Sequence, residues 1–461
     1  MPKLKDLFAP TDMTVGTPWK KIVVFAIPML IGNIAQQLYN TVDSIIVGRY
    51  VGDNALAAVG SAGPILNLLL VLFVGISVGA GIMVSQYFGA KEREELSKTI
   101  GTCITLTALA AVIIMVVAPM VIRPLLHLLN TPDSIIDWCD SYLTILFVGI
   151  AGMAYYNILS GILRGVGDSV SALIYLLVAT VLNIILDIWF VAGLKMGVSG
   201  VALATAIAQG VSAVMCLIKL SRMQEIFDLK PHYLIPNKRH SFMVVKLGLP
   251  SGLTQVIFSM AMIIVQSLTN SFGEMFIAAN VIIMRVDGFA MMPNFSFGNA
   301  MTTYAGQNVG ARDYKRVEDG AKQGTLIAVI TSTVITGLIL IFGKYLMGIF
   351  TETAELVDLS VRMMRILAVG YIAVAVTQCL SGVMRGAGDT MTPMWISLIT
   401  TVAIRVPVAY GIAFLTRSAA YPNGRSECIF ISLLTSWVTG AVITAFCYRL
   451  GKWKKKAIQK A

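Results

Sequence analysis

The stretch that decides the organisation of this chain occurs twice, as SGILRGVGDS at residues 160–169 and as SGVMRGAGDT at residues 381–390. Six of the ten positions are identical, and the offset between the two copies is 381 − 160 = 221. The same offset relates QYFGAK at residues 86–91 to QNVGAR at residues 307–312. Two independent matches at one offset indicate that the chain contains two copies of one structural unit.

Each copy of the stretch has the pattern of one helix ending and another beginning. Arg164 and Arg385 would lie in a last helical turn, where a cation meets the negative end of the helix dipole. The glycines that follow permit the left-handed conformation that ends many helices. Asp168 and Asp389 are suited to cap the next helix. Well-capped connections alone would explain the pattern, but its repetition makes these four residues candidate conformational turns.

The composition indicates a membrane protein. The 461 residues are 57% hydrophobic and only 13% charged, whereas soluble domains are about half apolar and a quarter charged. The polar start lacks the pattern of a cleavable signal peptide. Six cysteines are scattered without a CxxC pair, which favours small core residues over a disulfide or metal framework. We expect no cofactor.

Twelve apolar runs are long enough to cross a membrane as helices, which takes about 20 residues each. The predicted fold is therefore all-α, a polytopic membrane protein with twelve transmembrane helices in two pseudo-symmetric six-helix lobes. The predicted domains are the lobe 1–220, a linker at 221–240, and the lobe 241–461 with a basic tail. The predicted spans are approximately 22–49, 55–86, 97–121, 134–163, 169–193, 197–219, 242–272, 275–306, 322–343, 356–384, 391–415 and 427–448.

Lysine and arginine predict the orientation, because cytoplasmic loops are enriched in them. With the N-terminus inside, the cytoplasmic segments hold 25 of these residues and the external ones six. We therefore expect a multi-pass plasma-membrane protein with both termini cytoplasmic. The bias explains the net charge of +11 without a nucleic-acid partner. The tail at 451–460 favours anionic membrane lipid. We expect a monomer.

Of the acidic residues, we place three within the membrane: Asp43, Asp187 and Asp287. An intramembrane carboxylate is energetically costly and is by default a functional hypothesis. In the first helix, Asp43 continues a polar stripe at spacings of three and four residues. Lipid cannot satisfy such a stripe, so it must face protein or water. An interhelical hydrogen-bond seam is the alternative for its other members, which include Asn33, Gln36 and Asn40.

Asn183 and Asp187 are four residues apart on the fifth predicted helix and therefore share a face. If the helices of the first half surround one cavity, these two residues could meet Asp43 and Thr205. Two carboxylates in a poorly hydrated pocket cannot both ionise cheaply, so one can hold a proton near neutral pH. Carboxylate oxygens are also hard ligands that could take Na⁺. These four residues are the predicted ion-coupling site, with H⁺ or Na⁺ left open.

A substrate cavity is predicted at the interface between the halves, because parallel repeats often bind their substrates there. Methionine and aromatic side chains suit promiscuous binding, although ordinary packing explains each of them equally well. Arg405 is a further buried cation for which the sequence offers no partner, and the three histidines are assigned to loops without a role. The candidate cavity residues are Asn33, Gln36, Asn40, Gln255, Arg285, Asp287 and Met291.

The chain resembles the multidrug and toxic compound extrusion (MATE) family over nearly its full length. The resemblance rests on the two RGxGD turns, the paired QxxGA stretches, NTVDSIIVG in the first helix and LNIILD in the fifth. Within the family it resembles the DNA-damage-inducible-F-like prokaryotic branch, whose characteristic positions match Asp43, Asn183, Asp187 and Thr205. The other prokaryotic branch carries acids in the seventh and tenth helices, where this chain has Phe258 and Val374.

The resemblance implies export of amphiphilic, often cationic, compounds in exchange for H⁺ or Na⁺ by alternating access. A flippase for a lipid-linked precursor is the alternative transporter, and Arg285 and Arg405 suit an anionic head group. A membrane-embedded enzyme is the alternative from another class, but no HExxH, GxSxG or P-loop pattern occurs. A channel accounts less well for the repeat and the buried acids.

Overall fold

The computed structural model describes residues 9–128 and 131–458, and in these ranges every regular element is helical. The first eight residues and 459–461, which belong to the predicted cytoplasmic termini, lie outside the described residues. The helices of the first half are α1 (Pro18–Tyr50), α2 (Asp53–Gly89), α3 (Arg93–Leu128), α4 (Asp133–Val148), α5 (Ile150–Gly165), α6 (Ser169–Asp187) and α7 (Gly197–Ser221). Those of the second half are α8 (Lys238–Asn270), α9 (Glu274–Gly310), α10 (Tyr314–Gly348), α11 (Ala354–Ala368), α12 (Gly370–Gly386), α13 (Met391–Leu398), α14 (Arg405–Leu415) and α15 (Cys428–Arg449).

These helices correspond to the twelve predicted spans, and the all-α membrane fold is confirmed. Within the described residues, nine helical segments are long and apolar enough to cross a membrane singly. The pairs α4–α5 and α11–α12 each form one span with a bend, of 53° and 42°. The remaining predicted span, 55–86, lies inside α2. All six cysteines are free thiols, as expected from their scattered positions.

The two bends lie at corresponding positions of the repeat. Gly149 separates α4 from α5, and Gly370 begins α12, with 370 − 149 = 221. A Cβ atom at Gly149 would lie 2.6 Å from the Cβ of Ala206, and one at Gly370 would lie 2.5 Å from the Trp437 ring. Both bends therefore bring a glycine against a neighbouring helix too closely for any larger residue.

Close helix packing repeats at the same offset. In the first half, a Cβ at Gly161 would lie 2.9 Å from the carbonyl oxygen of Ser77. In the second half, a Cβ at Gly382 would lie 2.3 Å from the carbonyl oxygen of Gly298. Small residues at such crossings let two backbones approach, which is how helices associate in membranes. The repeated glycines of the sequence thus carry the packing of α5 on α2 and of α12 on α9.

The turns that the sequence singled out have the predicted conformations. Gly167 and Gly388 take positive φ values of 90° and 95°, which glycine adopts without steric cost. Lys91 and Arg312, at the ends of the QxxGA stretches, also have positive φ, 57° and 60°. Non-glycine residues rarely adopt this region. Its occurrence at both related positions shows that the repeat extends to the backbone.

The chain forms two compact units. One contains Ile27–Gly252 with the described part of Met1–Asp12, and the other contains Met13–Ala26 with Leu253–Ala461. Each unit has its own apolar core, one centred on residues such as Phe73 and Phe147 and the other on residues such as Tyr371 and Phe430. The boundaries 1–220, 221–240 and 241–461 remain a prediction about domain organisation.

The segment 221–240 is ordered by contacts with α3. Arg93 forms an ion pair with Asp228, with 3.0 Å between Nη2 and Oδ1, and this hydrogen-bonded partner lowers the pKa of the half-buried Asp228 carboxyl. The Thr105 hydroxyl donates to the carbonyl oxygen of Leu234. A short 3₁₀-helix, Pro231–Leu234, lies against α3 so closely that a Cβ at Gly101 would be 2.0 Å from the Tyr233 carbonyl oxygen.

We expect Gly101→Ala to destabilise the first unit, because the added methyl overlaps the backbone of this 3₁₀-helix. Overpacking of this kind costs about 1–3 kcal/mol. The measurement is thermal unfolding of the purified protein in detergent. Gly337→Ala is the matched control, since a Cβ there meets nothing within 4 Å, and alanine is the better helix former. Equal melting temperatures for the two variants would contradict this account of the linker.

Candidate functional site

The four residues of the predicted ion-coupling site come together inside the first unit. Asp43 lies on α1, Asn183 and Asp187 lie on α6, and Thr205 lies on α7. Asn183 and Asp187 have no exposed surface, and Thr205 is 6% exposed. The spacing of four residues places Asn183 and Asp187 on one face of α6, so both point toward α1 and α7. Their pairing with Asp43 is a tertiary contact between helices far apart in the sequence.

The amide of Asn183 connects the two carboxylates. With its nitrogen toward them, Nδ2 donates to Asp43 Oδ1 at 2.9 Å and to Asp187 Oδ2 at 3.0 Å. The amide oxygen then accepts from the backbone N–H of Thr205 at 3.2 Å. The reverse orientation would turn the amide oxygen toward the oxygens of the acids, and the neighbours therefore decide the orientation. Asn183 is a neutral donor that serves both acids.

The two carboxyl groups lie close together, because Asp43 Oδ1 and Asp187 Oδ2 both accept from Asn183 Nδ2. Two ionised carboxylates this close in a poorly hydrated place repel each other, and a proton on one of them would relieve the repulsion. One oxygen of the pair, Asp187 Oδ1, is buried and has no hydrogen-bond partner among the described residues. The site thus presents two neighbouring carboxyl groups and one acceptor that is free to take a further donor.

Two tyrosines complete the surroundings of the acids, and neither was predicted. The hydroxyl of Tyr39 donates to Thr205 Oγ1 at 3.1 Å, and its side chain is 7% exposed. Tyr142 on α4 is equally buried and lies within electrostatic range of both carboxylates. Tyr39 is four residues before Asp43 in the polar stripe, and that spacing was the available signal. Tyr142 lies in an apolar run with no polar periodicity to mark it.

The backbone changes its winding directly beside the site. Asp187 is the last residue of α6, and the π-helical turn Ile188–Gly193 follows it. Such turns are rare and often lie at functional positions in helices. A π-helical turn in the second half, Ile399–Ile404, immediately precedes Arg405. In both halves, therefore, a charged side chain adjoins a locally rewound helix.

The predicted cavity residues differ in their exposure to solvent. Asn33 and Gln36 are partly buried, Asn40 is exposed, and Met291 packs against the apolar core of the second unit. Gln255 and Arg285 are exposed on α8 and α9. Asp287 accepts a hydrogen bond from the hydroxyl of Tyr371 at 3.0 Å. The substrate cavity remains a prediction.

The turn residues make the capping contacts that the sequence suggested. Asp168 accepts from the backbone N–H of Ser171 at 2.9 Å, and Asp389 accepts from that of Thr392 at 3.3 Å. Arg164 and Arg385 lie in the last turns of α5 and α12. Burial raises the pKa of the Asp168 carboxyl, although Lys219 lies 3.6 Å away and opposes the shift.

The assignment of all histidines to loops was wrong. His127 lies in α3, and His232 lies in the 3₁₀-helix of the linker. His240 lies in the first turn of α8, is 2% exposed, and has Nε2 3.2 Å from Glu95 Oε2. The error at His240 arose because α8 begins at Lys238, earlier than its apolar run. The polar first turn of a membrane helix is not marked by hydropathy.

Carboxyl groups paired between membrane helices are typical of transporters. Comparison with known proteins identifies the family. A sequence model of the MatE family matches residues 28–189 and again residues 250–411. The offset between the starts of the two matches is 250 − 28 = 222, which agrees with the internal repeat to within one position. The chain belongs to the MatE family of membrane transporters and is not an enzyme.

Similar proteins cover nearly the whole chain. The probable multidrug resistance protein YoeA of Bacillus subtilis is 28% identical over 455 residues, 96% of this chain and 96% of that protein. DNA damage-inducible protein F of Escherichia coli is 26% identical over 347 residues, 73% of this chain and 74% of that protein. A solved structure of an outward-facing multidrug resistance MATE family transporter is 24% identical with a TM-score of 0.88, covering 97% and 99% of the two chains. This last likeness establishes the fold.

We expect Asn183→Leu to lower the thermal stability of the protein, because the buried Asp187 and the half-buried Asp43 lose their shared donor. Leaving buried polar groups unsatisfied costs about 1–3 kcal/mol each. Asn40→Leu is the matched control, since Asn40 is exposed on α1 and such changes usually stay within about 0.5 kcal/mol. Melting of the two purified variants in one detergent is the measurement. A control that melts as low as Asn183→Leu would remove the bridging role of Asn183.

Proposed function

We propose that this protein is a secondary active efflux transporter that exports amphiphilic, mainly cationic, compounds in exchange for H⁺ or Na⁺. The observation that supports this most is the buried carboxylate pair Asp43–Asp187 bridged by Asn183. A membrane protein retains such a pair only where it binds something or moves charge, because burying acids in a membrane is costly. The names of the relatives as multidrug proteins support the substrate class.

The geometry of the site favours H⁺ as the coupling ion. Two acids held this close favour binding a proton, and Asn183 Nδ2 already donates to both of them. Na⁺ needs oxygen ligands, so the Asn183 amide would have to rotate and present its oxygen. Asp43, Asp187, Asn183 and the Thr205 hydroxyl could then surround the ion. Coupling to H⁺ requires no such rearrangement.

Coupling follows from competition between two ligands for two conformations. Protonation lowers the negative charge of the Asp43–Asp187 pair, which favours a compact, dry first unit. A cationic substrate is attracted by the ionised pair, which favours a hydrated and open state. Each ligand can shift the equilibrium only by its difference in affinity between the two states. The π-helical turn after Asp187 gives α6 a place to change its winding.

The remaining parts of the proposal concern location and assembly. We place the protein in the plasma membrane as a monomer, with both termini cytoplasmic, on the strength of the lysine and arginine distribution. The basic segment Lys452–Lys455 adjoins the end of α15, where it suits anionic lipid. No nucleic-acid partner is needed to explain the positive charge.

We expect Asp43→Asn and Asp187→Asn each to abolish gradient-driven efflux while leaving a folded protein, because the amide keeps the shape and removes the titratable charge. The measurement is efflux of a lipophilic cationic dye from proteoliposomes, driven separately by a proton and a sodium gradient. Asp358→Asn is the control, an exposed acid on α11 whose loss should leave efflux unchanged.

Full transport by both acid variants would contradict the assignment of the coupling site. Efflux driven by sodium alone would replace H⁺ by Na⁺ as the coupling ion. Movement of only anionic lipid intermediates, with no dye efflux, would favour the flippase instead.

The orientation is tested with single cysteines in a background lacking all six native cysteines. Ile235 in the linker is 71% exposed, and Ala420 is exposed in the loop before α15. An impermeant thiol reagent applied to intact cells should label Ala420→Cys and leave Ile235→Cys unlabelled until the cells are broken. Labelling of Ile235→Cys from outside would reverse the proposed orientation.

A further inference from the structure

The second unit contains a charged cluster that the coupling site does not use. Its members are Asp287 on α9, Tyr371 on α12 and Arg405 at the start of α14. The Tyr371 hydroxyl donates to Asp287 Oδ1 at 3.0 Å. Val406, the residue after Arg405, packs against the apolar core that contains Val286 and Tyr371, and this places Arg405 near Asp287. Neither Tyr371 nor Arg405 was assigned a partner by the sequence.

Asp287, the acidic residue of this cluster, is bound to a tyrosine that packing and hydrogen bonds hold in place. Tyr371 has no exposed surface, and its ring centroid lies 5.7 Å from that of Trp437. Its backbone carbonyl accepts from Asn294 Nδ2 at 3.2 Å, and Asn294 Oδ1 accepts from the Ser332 hydroxyl at 2.7 Å. Tyr371 therefore fixes one oxygen of Asp287 and leaves the other for a further contact.

Arg405, the basic residue of the cluster, has a donor without a hydrogen-bond partner among the described residues. Arg405 is only 6% exposed, yet its Nε is buried without a hydrogen-bond partner among the described residues. The ion pairs of the described chain do not include one between Arg405 and Asp287. A buried guanidinium with unmet donors is costly. Its cost is offset when an acceptor of opposite charge binds it.

The position of Arg405 in the repeat is also informative. At the offset of 221 that relates the turns, Ile404 corresponds to Asn183 and Arg405 to the next residue, Ile184. The second half therefore carries a cation one position beyond the counterpart of the bridging amide. Ile404, the last residue of a π-helical turn, precedes Arg405 directly. The stretch that holds the bridging amide in the first half holds a cation in the second.

We propose that Arg405, Asp287 and Tyr371 form a binding site for a dipolar group, a carboxylate placed against Arg405 and an ammonium placed against Asp287. This inference rests on the proposed transport function and names a second class of substrate, zwitterionic amphiphiles. The charges of Arg405 and Asp287 cancel, so a ligand of zero net charge leaves neither uncompensated. A purely cationic ligand is attracted by Asp287 but repelled by Arg405. Guanidinium groups bind carboxylates with two parallel hydrogen bonds, which adds geometric selectivity.

The test compares two dyes that share one scaffold: rhodamine 6G, a cationic ester, and rhodamine 19, its zwitterionic free acid. Binding to the purified protein is followed by fluorescence anisotropy. We expect Arg405→Gln to weaken rhodamine 19 binding by about tenfold to a hundredfold, the worth of hydrogen bonds to a charged group. Rhodamine 6G should bind Arg405→Gln as well as it binds the unaltered protein, or better.

Two further variants serve as controls, one for the loss of any arginine and one for a loss of folding. Arg362→Gln removes an exposed arginine of α11 and should alter neither dye. Asp287→Asn combined with Arg405→Gln leaves no unpaired buried charge in the cluster, so it remains testable if Arg405→Gln alone does not fold. The double variant should bind rhodamine 19 no better than rhodamine 6G.

If Arg405→Gln weakens the binding of both dyes equally, or changes the binding of neither, the dipolar site is contradicted. Arg405 and Asp287 would then be a structural pair bridged by water. The proposed transport function fails in a different way. It fails if the unaltered protein exports neither dye under any gradient, whereas the dipolar site fails with rhodamine 6G export intact.

Discussion

The central constraint on this molecule is the burial of two carboxyl groups inside a membrane protein. Ionised acids cannot be left in such a place without a counter-charge or a proton. Asp43 and Asp187 share the donor Asn183, and we propose that a proton held by the pair satisfies the rest of the constraint. The helices α1, α6 and α7 each contribute a residue to this arrangement. Any change in the protonation of the pair must therefore be felt by three helices at once.

The two halves share the same backbone features, but they differ in the charged residues that these features carry. Bends, close glycine crossings and left-handed turns recur at one constant offset, from Gly149 and Gly370 to Lys91 and Arg312. The acids of the first half have no counterparts in the second. The second half instead carries Arg405 near Asp287. We propose that one unit of this duplicated scaffold binds a cation or proton and that the other binds a group of mixed charge.

The membrane helices and the residues of the carboxylate site could be predicted from the sequence, because their signals were local or rare. Apolar runs identify membrane helices by length, and Asn183 and Asp187 are related by one helical turn. The partners of Asp287 could not be predicted, because Tyr371 is 84 residues away and no periodicity links them. The bridging orientation of Asn183 and the packing of the linker on α3 are likewise tertiary. The helical start at Lys238 was missed because its first turn is polar.

A proton held by this pair can be observed directly by infrared difference spectroscopy of the purified protein between neutral and alkaline pH. A protonated carboxyl group has a carbonyl stretching band that is lost when the group ionises. Our account predicts such a band at neutral pH in the unaltered protein and its disappearance when Asp43→Asn and Asp187→Asn are combined in one protein. A band that persists unchanged in this double variant, or none at neutral pH in the unaltered protein, would contradict a carboxyl pair that holds one proton.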